Sequence, residues 1–264
     1  MKPPAEFAHS DRRWRIDLNC DLGEGAGQDA ELMPLITSAN IACGGHAGDA
    51  TTMRETIMLA LQHGVAIGAH PSLDDREHFG RRELTVTPEQ VHRWVVEQTR
   101  ALQDIAARCG ARVVHVKPHG ALYNMAARDE ALARAVSAGV RECGAELVLF
   151  ALAGSVGARV AEAEGVRVAH ELFADRTYQR DGSLTPRTRP DALIVDENEA
   201  VNQALRMVQG GRVRATDGSD VTLRADTLCL HGDGVHAVDF AQRIRRAFEM
   251  ADVDVRPIDV GAPN

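Results

Sequence analysis

The feature that most restricts the possible folds is a repeated unit: a short apolar run, a polar cluster with glycine or proline, then a stretch with helical periodicity. The first copy is the clearest. Ile16, Leu18 and Cys20 alternate with Asp17, Asn19 and Asp21 at the period of two that a strand requires, and Gly23-Glu24-Gly25-Ala26-Gly27 cannot extend it. Ser38–Cys43 runs into Gly44-Gly45-His46, Val65–Ala69 into His70-Pro71, Val113–Val116 into Lys117-Pro118-His119-Gly120, and Thr227–Leu230 into His231-Gly232-Asp233-Gly234. Leu147–Ala151 and Val166–Ala169 read as further strands.

The segments between them carry helix signals. Thr87-Pro88-Glu89-Gln90 combines an N-cap, proline at the first helical position and a capping-box glutamine, and Val91, Trp94, Val95, Leu102 and Ile105 then recur at helical spacing. Helices are expected after Asp49, over Asp129–Cys143, Ser155–Glu164 and about 197–208, and over Ala237–Met250; Arg212–Arg224 reads as a hairpin around Asp217-Gly218. About seven strand-then-helix units, ~25 to 45 residues apart, predict a parallel α/β fold. In a (β/α) barrel every strand end opens on one face, whereas an open sheet gathers only a few, so the number of polar strand ends favours a barrel. The expected domain is a single (β/α) barrel over 14–260, preceded by a polar, aperiodic tail over 1–13.

Composition narrows the function. A net charge of -8 opposes a nucleic-acid surface, and no apolar run approaches a membrane span or a signal-peptide core, so neither nucleic acid nor membrane is expected as a partner and the expected location is the cytoplasm. The five cysteines form no Cys-x-x-Cys pair and read as buried thiols. There is no Gly-x-Ser-x-Gly elbow, no His-Glu-x-x-His helix and no P-loop.

The chemistry is expected at the strand ends. Asp21, His46 and His70 are the candidate ligands of a divalent metal such as Mg, because carboxylate and neutral imidazole leave such an ion an open position. The competing reading is that the histidines bond to carbonyls and the aspartate caps a turn. Lys117 and His119 supply a cation and a possible general acid, or else Lys117 forms an internal salt bridge to Asp17, Asp21 or Asp233. In the long aperiodic loop 173–190, Arg176 beside Asp175 is the expected anion binder. Asn19, Glu24 and His70 are further candidates for contacting substrate or phosphate, and His231 and Asp233 for catalysis.

Taken together, Ile16–Gly25, Ser38–Asp49, Gly68-Ala-His-Pro-Ser72, His115–Asn124, Phe173-Ala-Asp-Arg176 and Cys229–Gly234 resemble the LamB/YcsF family, from about Trp14 to Met250. The resemblance implies a seven-repeat TIM-like (β/α)7 barrel of the glycoside hydrolase/deacetylase type. It also implies ATP-dependent opening of 5-oxo-L-proline (pyroglutamate) to L-glutamate, performed with partner subunits B and C. On that reading Asp21 and His46 hold a metal or orient water, Lys117 and Arg176 neutralise carboxylate or phosphate, and His119 or His231 moves the proton. Two positions depart from the family pattern: Gly45 stands where phenylalanine is common, predicting a missing aromatic wall, and Thr177 where glycine is common, predicting an altered loop. Two other readings stay open, a metal-dependent deacetylase or amidohydrolase acting alone and a non-catalytic, lactam-binding scaffold.

Overall fold

The computed structural model describes residues 14–230 and 237–259. The strands are β1 (Trp14–Leu22), β2 (Ser38–Ala42), β3 (Ala66–His70), β4 (Val113–Val116), β5 (Val148–Leu152), β6 (Arg167–Phe173), β7 (Arg212–Arg214), β8 (Asp220–Thr222), β9 (Thr227–Leu230) and β10 (Val253–Val255). The helices are α1 (Asp29–Leu32), α2 (Ala50–His63), α3 (Pro88–Arg108), α4 (Gly120–Arg128), α5 (Glu130–Cys143), α6 (Val156–Ala163), α7 (Glu197–Gly210) and α8 (Ala237–Met250). Strands β1 to β6 and β9 pair in parallel, and β9 closes on β1 through Asp17↔Thr227 and Cys20↔Leu230. The result is a closed seven-stranded TIM-like barrel, as expected. Before that closure, the first residues of β1 pair with β10, and β7 and β8 form the expected hairpin outside the barrel.

Helix starts follow the sequence signals closely. Thr87 and Gln90 form the reciprocal capping box at α3, and Asp49, Asp129, Ser155 and Asp196 each accept backbone N–H bonds at the starts of α2, α5, α6 and α7. Two boundaries differ from expectation. Helix α4 carries no such start signal, because it opens on Gly120 directly after Pro118-His119 and its N-cap His119 makes no side-chain cap. Strand β6 continues past Ala169 to Phe173, so His170 and Glu171 are strand residues rather than a strand end.

The alternation in β1 sorts two interiors. Ile16, Leu18, Cys20 and Leu22 belong to the apolar core that includes the inward faces of the helices. Asp17, Asn19 and Asp21 instead meet partners on β2, β4 and β9 across the barrel lumen. At β5 and β6 the lumen is apolar: Val148, Phe150 and Ala169 form their own cluster, with Ile258 packed against it. Among the described residues no helix is long and apolar enough to cross a membrane.

Candidate active site

The turn after β1 brings Glu24 over the barrel end. Gly23 and Gly25 sit at φ 71° and 83°, a region that disfavours side chains, and Asp29 accepts from the Gly23 N–H at 2.8 Å. One carboxylate oxygen of Glu24, Oε1, then lies 2.8 Å from His46 Nε2, 3.4 Å from His119 Nδ1 and 3.7 Å from His70 Nε2. The His46 and His119 rings stack at 3.7 Å, and His70 meets both edge-on.

Hydrogen bonds fix the tautomers. His70 Nδ1 donates to the Lys117 carbonyl at 2.7 Å and His119 Nε2 donates to the Phe79 carbonyl at 2.9 Å. The nitrogens left over, His70 Nε2 and His119 Nδ1, face each other at 3.0 Å. When both rings are neutral, two lone pairs meet, an arrangement that calls for a positive charge between or upon them. Burial, followed by the neighbouring His70, pushes His46 down to about 2 and His119 down to about 3. His70 goes the other way: burial opposes its charged form, but Asp21, then Glu24, outweighs it and raises its pKa.

Asp21 sits beside this group. Its Oδ2 is 3.3 Å from His70 Nε2, while Oδ1 accepts from Asn40 at 2.8 Å and from Lys117 at 2.9 Å. Burial would raise its pKa, yet His70 and Lys117 hold it well below the usual carboxylate range. Glu24 is shifted upward instead, by burial and then by Asp21. Lys117 Nζ also touches Asn19 Oδ1 at 3.1 Å, Cys229 Sγ at 3.1 Å and Glu171 Oε1 at 2.9 Å. It is therefore the internal salt bridge weighed from sequence, made to Asp21 and to a second carboxylate that sequence reasoning misses. The signal for Glu171 is the alternation Ala169, Glu171, Phe173, which carries the strand on past His170.

The expected metal ligands are only partly those the structure gathers. Glu24, His46, His70 and His119 present ligand atoms within 4.8 Å of one another, so Glu24 and His119 join His46 and His70 while Asp21 stands alongside. The set suits a cation: His46 Nδ1 is buried without a partner, and with neutral histidines Asp21, Glu24 and Glu171 outnumber Lys117. Three imidazoles to one carboxylate match a first-row transition ion better than the oxygen-seeking Mg expected from sequence.

The other expected residues fall at differing depths. Asn19 is fully buried beneath the site, donating to Thr227 at 2.7 Å and accepting from Asn40 at 2.8 Å. Arg176 lines the cleft, but its guanidinium donates to the carbonyls of Ala192 at 3.2 Å and Thr185 at 2.7 Å, so it pins the 176–192 loop. Asp175 is half-buried and its carbonyl accepts from Ile194. His231 and Asp233 lie outside the described residues.

The two departures at Gly45 and Thr177 acquire a physical reading. A Cβ at Gly45 would lie 2.5 Å from Gln98 Oε1 and Ser72 Oγ, where Gln98 bonds both main-chain groups of Ser72. That direction is filled by a polar clamp, and the aromatic wall comes from Phe79, edge-on to His46 and His119 at 5.3 and 5.4 Å. Phe79 holds a left-handed backbone, φ 54°, which directs its carbonyl to His119 while its ring faces the cluster. Thr177 needs no glycine-like conformation, since Phe79 and Asp252 alone among the described non-glycine residues have positive φ. Its hydroxyl instead donates to the Asp191 carbonyl at 2.6 Å.

Asp21, Glu24, His70, Lys117 and His119 form the floor of a cleft of ≈ 770 Å³. Fold and site define an enzyme of the hydrolase class built on a (β/α)7 barrel, its chemistry placed at the C-terminal strand ends. The comparisons make the family specific. Residues 16–262 match the LamB/YcsF family, and the chain belongs to it. The 5-oxoprolinase A subunit of Bordetella pertussis is 54% identical over 246 residues, covering 91% of this chain and 98% of that protein. Its counterpart of the same name in Bacillus subtilis is 49% identical over 250 residues, covering 93% and 97%. The crystal structure of the lactam utilization protein from Thermus thermophilus has a TM-score of 0.87 at 45% identity, covering 92% of this chain and all (100%) of that one. A T48 deacetylase solved with substrate shares the fold at a TM-score of 0.51 and 14% identity, covering 94% and 90%.

Proposed function

We propose that this chain is the A subunit of a 5-oxoprolinase, hydrolysing the lactam of 5-oxo-L-proline to L-glutamate with ATP cleavage and in company with subunits B and C. The observation that carries the reading is the convergence of Glu24, His46, His70 and His119 with an ionised Asp21 on one cleft floor. The names and high identity of the relatives supply the substrate and the membership of a larger complex. A five-membered lactam is a stabilised amide, so its hydrolysis needs both an activated carbonyl and a positioned water. ATP would supply the first by phosphorylating the carbonyl oxygen.

The residues divide the rest of the work. Glu24, His46, His70 and His119 would hold a divalent transition ion, which when bound polarises a carbonyl or a water. Asp21, 18% exposed at its side chain and the most open of the buried carboxylates, orients the attacking water through Oδ2. Lys117 and Asn40 fix Asp21 from the opposite side. His119 has one nitrogen on the Phe79 carbonyl and the other in the cluster, so its role is ligation rather than the proton transfer expected from sequence. Phe79 and the closed barrel keep the floor dry.

The test is ATP-coupled turnover of 5-oxoproline by this chain with subunits B and C, alongside metal analysis of the purified chain. Asp21→Asn and His70→Ala should each lower turnover by roughly 100-fold or more while the complex still assembles. Undiminished turnover in both variants would remove the assignment. The deacetylase-type fold keeps the stand-alone amidohydrolase reading in view, and ATP-independent hydrolysis of simple N-acyl substrates by the chain alone would favour it.

A further inference from the structure

The floor of the cleft has no cation to offer an anionic ligand. Lys117 is engaged at 2.9 Å by both Asp21 and Glu171, and Glu24 adds another negative charge. The sequence assigns Lys117 and Arg176 to neutralising a ligand, but in the structure one is committed to carboxylates and the other to carbonyls. An anion must be read elsewhere in the cleft.

The walls above the floor have the opposite charge. Arg81, Arg128, Arg159 and Arg187, all exposed, line the same ≈ 770 Å³ opening, although the whole chain carries a net charge of -8. The two acidic residues of the outer lining are engaged: Glu83 accepts from Arg128 at 2.5 Å, and Asp181 accepts from the Ser183 N–H and hydroxyl at 2.9 and 2.6 Å. Arg81 lies 4.8 Å over the Phe79 ring, close enough for its charge to bear on Glu24 and His46. Arg187 acts on the buried Arg176, a juxtaposition of like charges within one cleft. Arg159 donates to the Gly154 carbonyl at 2.6 Å, which fixes its head at the turn before α6. Positive walls over a negative floor concentrate anions at the mouth and orient them. A single-ring lactam acid would fill only a fraction of a cleft of this size.

We propose that the outer cleft is a phosphoryl-binding subsite in which Arg81, Arg159 and Arg187 read the negative charge of the ligand, so that the species bound is an organic phosphate rather than the bare lactam acid. The inference rests on the function proposed above and makes its substrate class specific. Guanidinium forks match phosphate oxygens in pairs, and three of them exceed what one carboxylate needs. The phosphoryl group could belong to a nucleotide or to a phosphorylated lactam; the chemistry recognised is the same.

The test is calorimetric titration of the full chain with inorganic phosphate, ATP and 5-oxoproline, repeated on Arg81→Gln and on the double variant Arg159→Gln/Arg187→Gln. Phosphate should bind the parent chain, weaken with added salt, and lose roughly tenfold in affinity for each arginine removed. Arg159→Lys should lose less than Arg159→Gln, separating charge from fork geometry. ATP binding tenfold or more tighter than phosphate assigns the subsite to a nucleotide; no such gain, with phosphate binding strengthened by 5-oxoproline, assigns it to a phosphorylated lactam. Absence of phosphate binding, or unchanged affinity in the arginine variants, overturns the proposal. Asp21→Asn keeps the two readings apart, because it should abolish turnover and leave phosphate affinity intact.

Discussion

Lys117 gives the sharpest quantitative expectation. Its ammonium is buried, 2.9 Å from Asp21 Oδ1 and 2.9 Å from Glu171 Oε1, and Glu171 is fully enclosed. At an effective dielectric of about 20, a contact of that length has a gross attraction on the order of 6 kcal/mol, largely cancelled by the cost of taking both ions out of water. Removing one partner leaves that desolvation cost uncompensated. Lys117→Met should therefore destabilise the fold by about 3 to 5 kcal/mol, a large share of the ~5 to 15 kcal/mol available to a folded protein. Glu171→Gln should cost only about 1 to 2 kcal/mol, because Lys117 keeps Asp21 and Asn19.

The double variant Lys117→Met/Glu171→Gln is the decisive arm. With the enclosed carboxylate gone, it should be destabilised by about 2 kcal/mol less than the sum of the single changes. Urea unfolding followed by far-ultraviolet circular dichroism, in chelator so that bound metal does not contribute, measures all three. A Lys117→Met cost below about 1 kcal/mol, or an additive cycle, would refute the view that Glu171 and Asp21 depend on one buried cation.

Three further expectations concern the layers around it. A Cβ at Gly68 would overlap the His115 ring at Nε2, so Gly68→Ala must displace His115 from Asn40 and from its stack on Phe150; a loss of about 3 kcal/mol and a melting temperature ~6 to 12 °C lower are expected by calorimetry. Asp17 is raised by burial from 3.8 to about 6, so the folded state binds the extra proton between those values and stability should fall by about 3 kcal/mol as pH rises from 4 to 6, then level; the slope should vanish in Asp17→Asn, read from urea midpoints across that range. Gly45→Ala should cost about 2 kcal/mol by breaking the Gln98 clamp on Ser72, and Gln98→Ala added to it should recover part of that loss in thermal melts.

Much of the barrel is legible because its elements announce themselves locally. The strand alternation of β1, the Thr87 capping box and the proline after His70 each depend on a few adjacent residues. The elements that escape are those whose stability comes from distant partners. Helix α4 begins with glycine, but it buries Ala121, Leu122, Tyr123 and Met125. The end of β6 places a carboxylate in the lumen, which makes sense only once Lys117, more than fifty residues earlier in the chain, is seen beside it. For the same reason the strand-end residues can be found in the sequence, but their roles cannot. Which of Asp21 and Glu24 faces three imidazoles depends on the turn geometry at Gly23 and Gly25, and the two carbonyl bonds that fix His70 and His119 come from Lys117 and Phe79.

The interior network explains why Asp21 can be both buried and ionised. Thr37, Ser38 and Thr227 donate to Asp17; Asn19 donates to Thr227; Asn40 donates to Asn19 and Asp21; and His115 donates to Asn40. His115 stays neutral, pushed down to about 3 by burial and then by Lys117, so it serves this chain as a fixed donor and not as a titrating group. Two of the donors that reach Asp21 therefore come from the strands themselves, Asn40 on β2 and Lys117 at the end of β4, with the loops completing the other side through Glu24 and Phe79. A carboxylate held from below by rigid strands keeps its orientation when the loops above it rearrange around a ligand. The polar half of the lumen is thus a support for Asp21, and the apolar half at Val148, Phe150 and Ala169 gives His115 the flat face on which it stacks at 4.2 Å. It follows that Phe150→Leu, which leaves every hydrogen-bonding residue in place, should lower turnover by loosening His115 and through it Asn40, and that the same change should leave phosphate affinity at the arginine walls untouched.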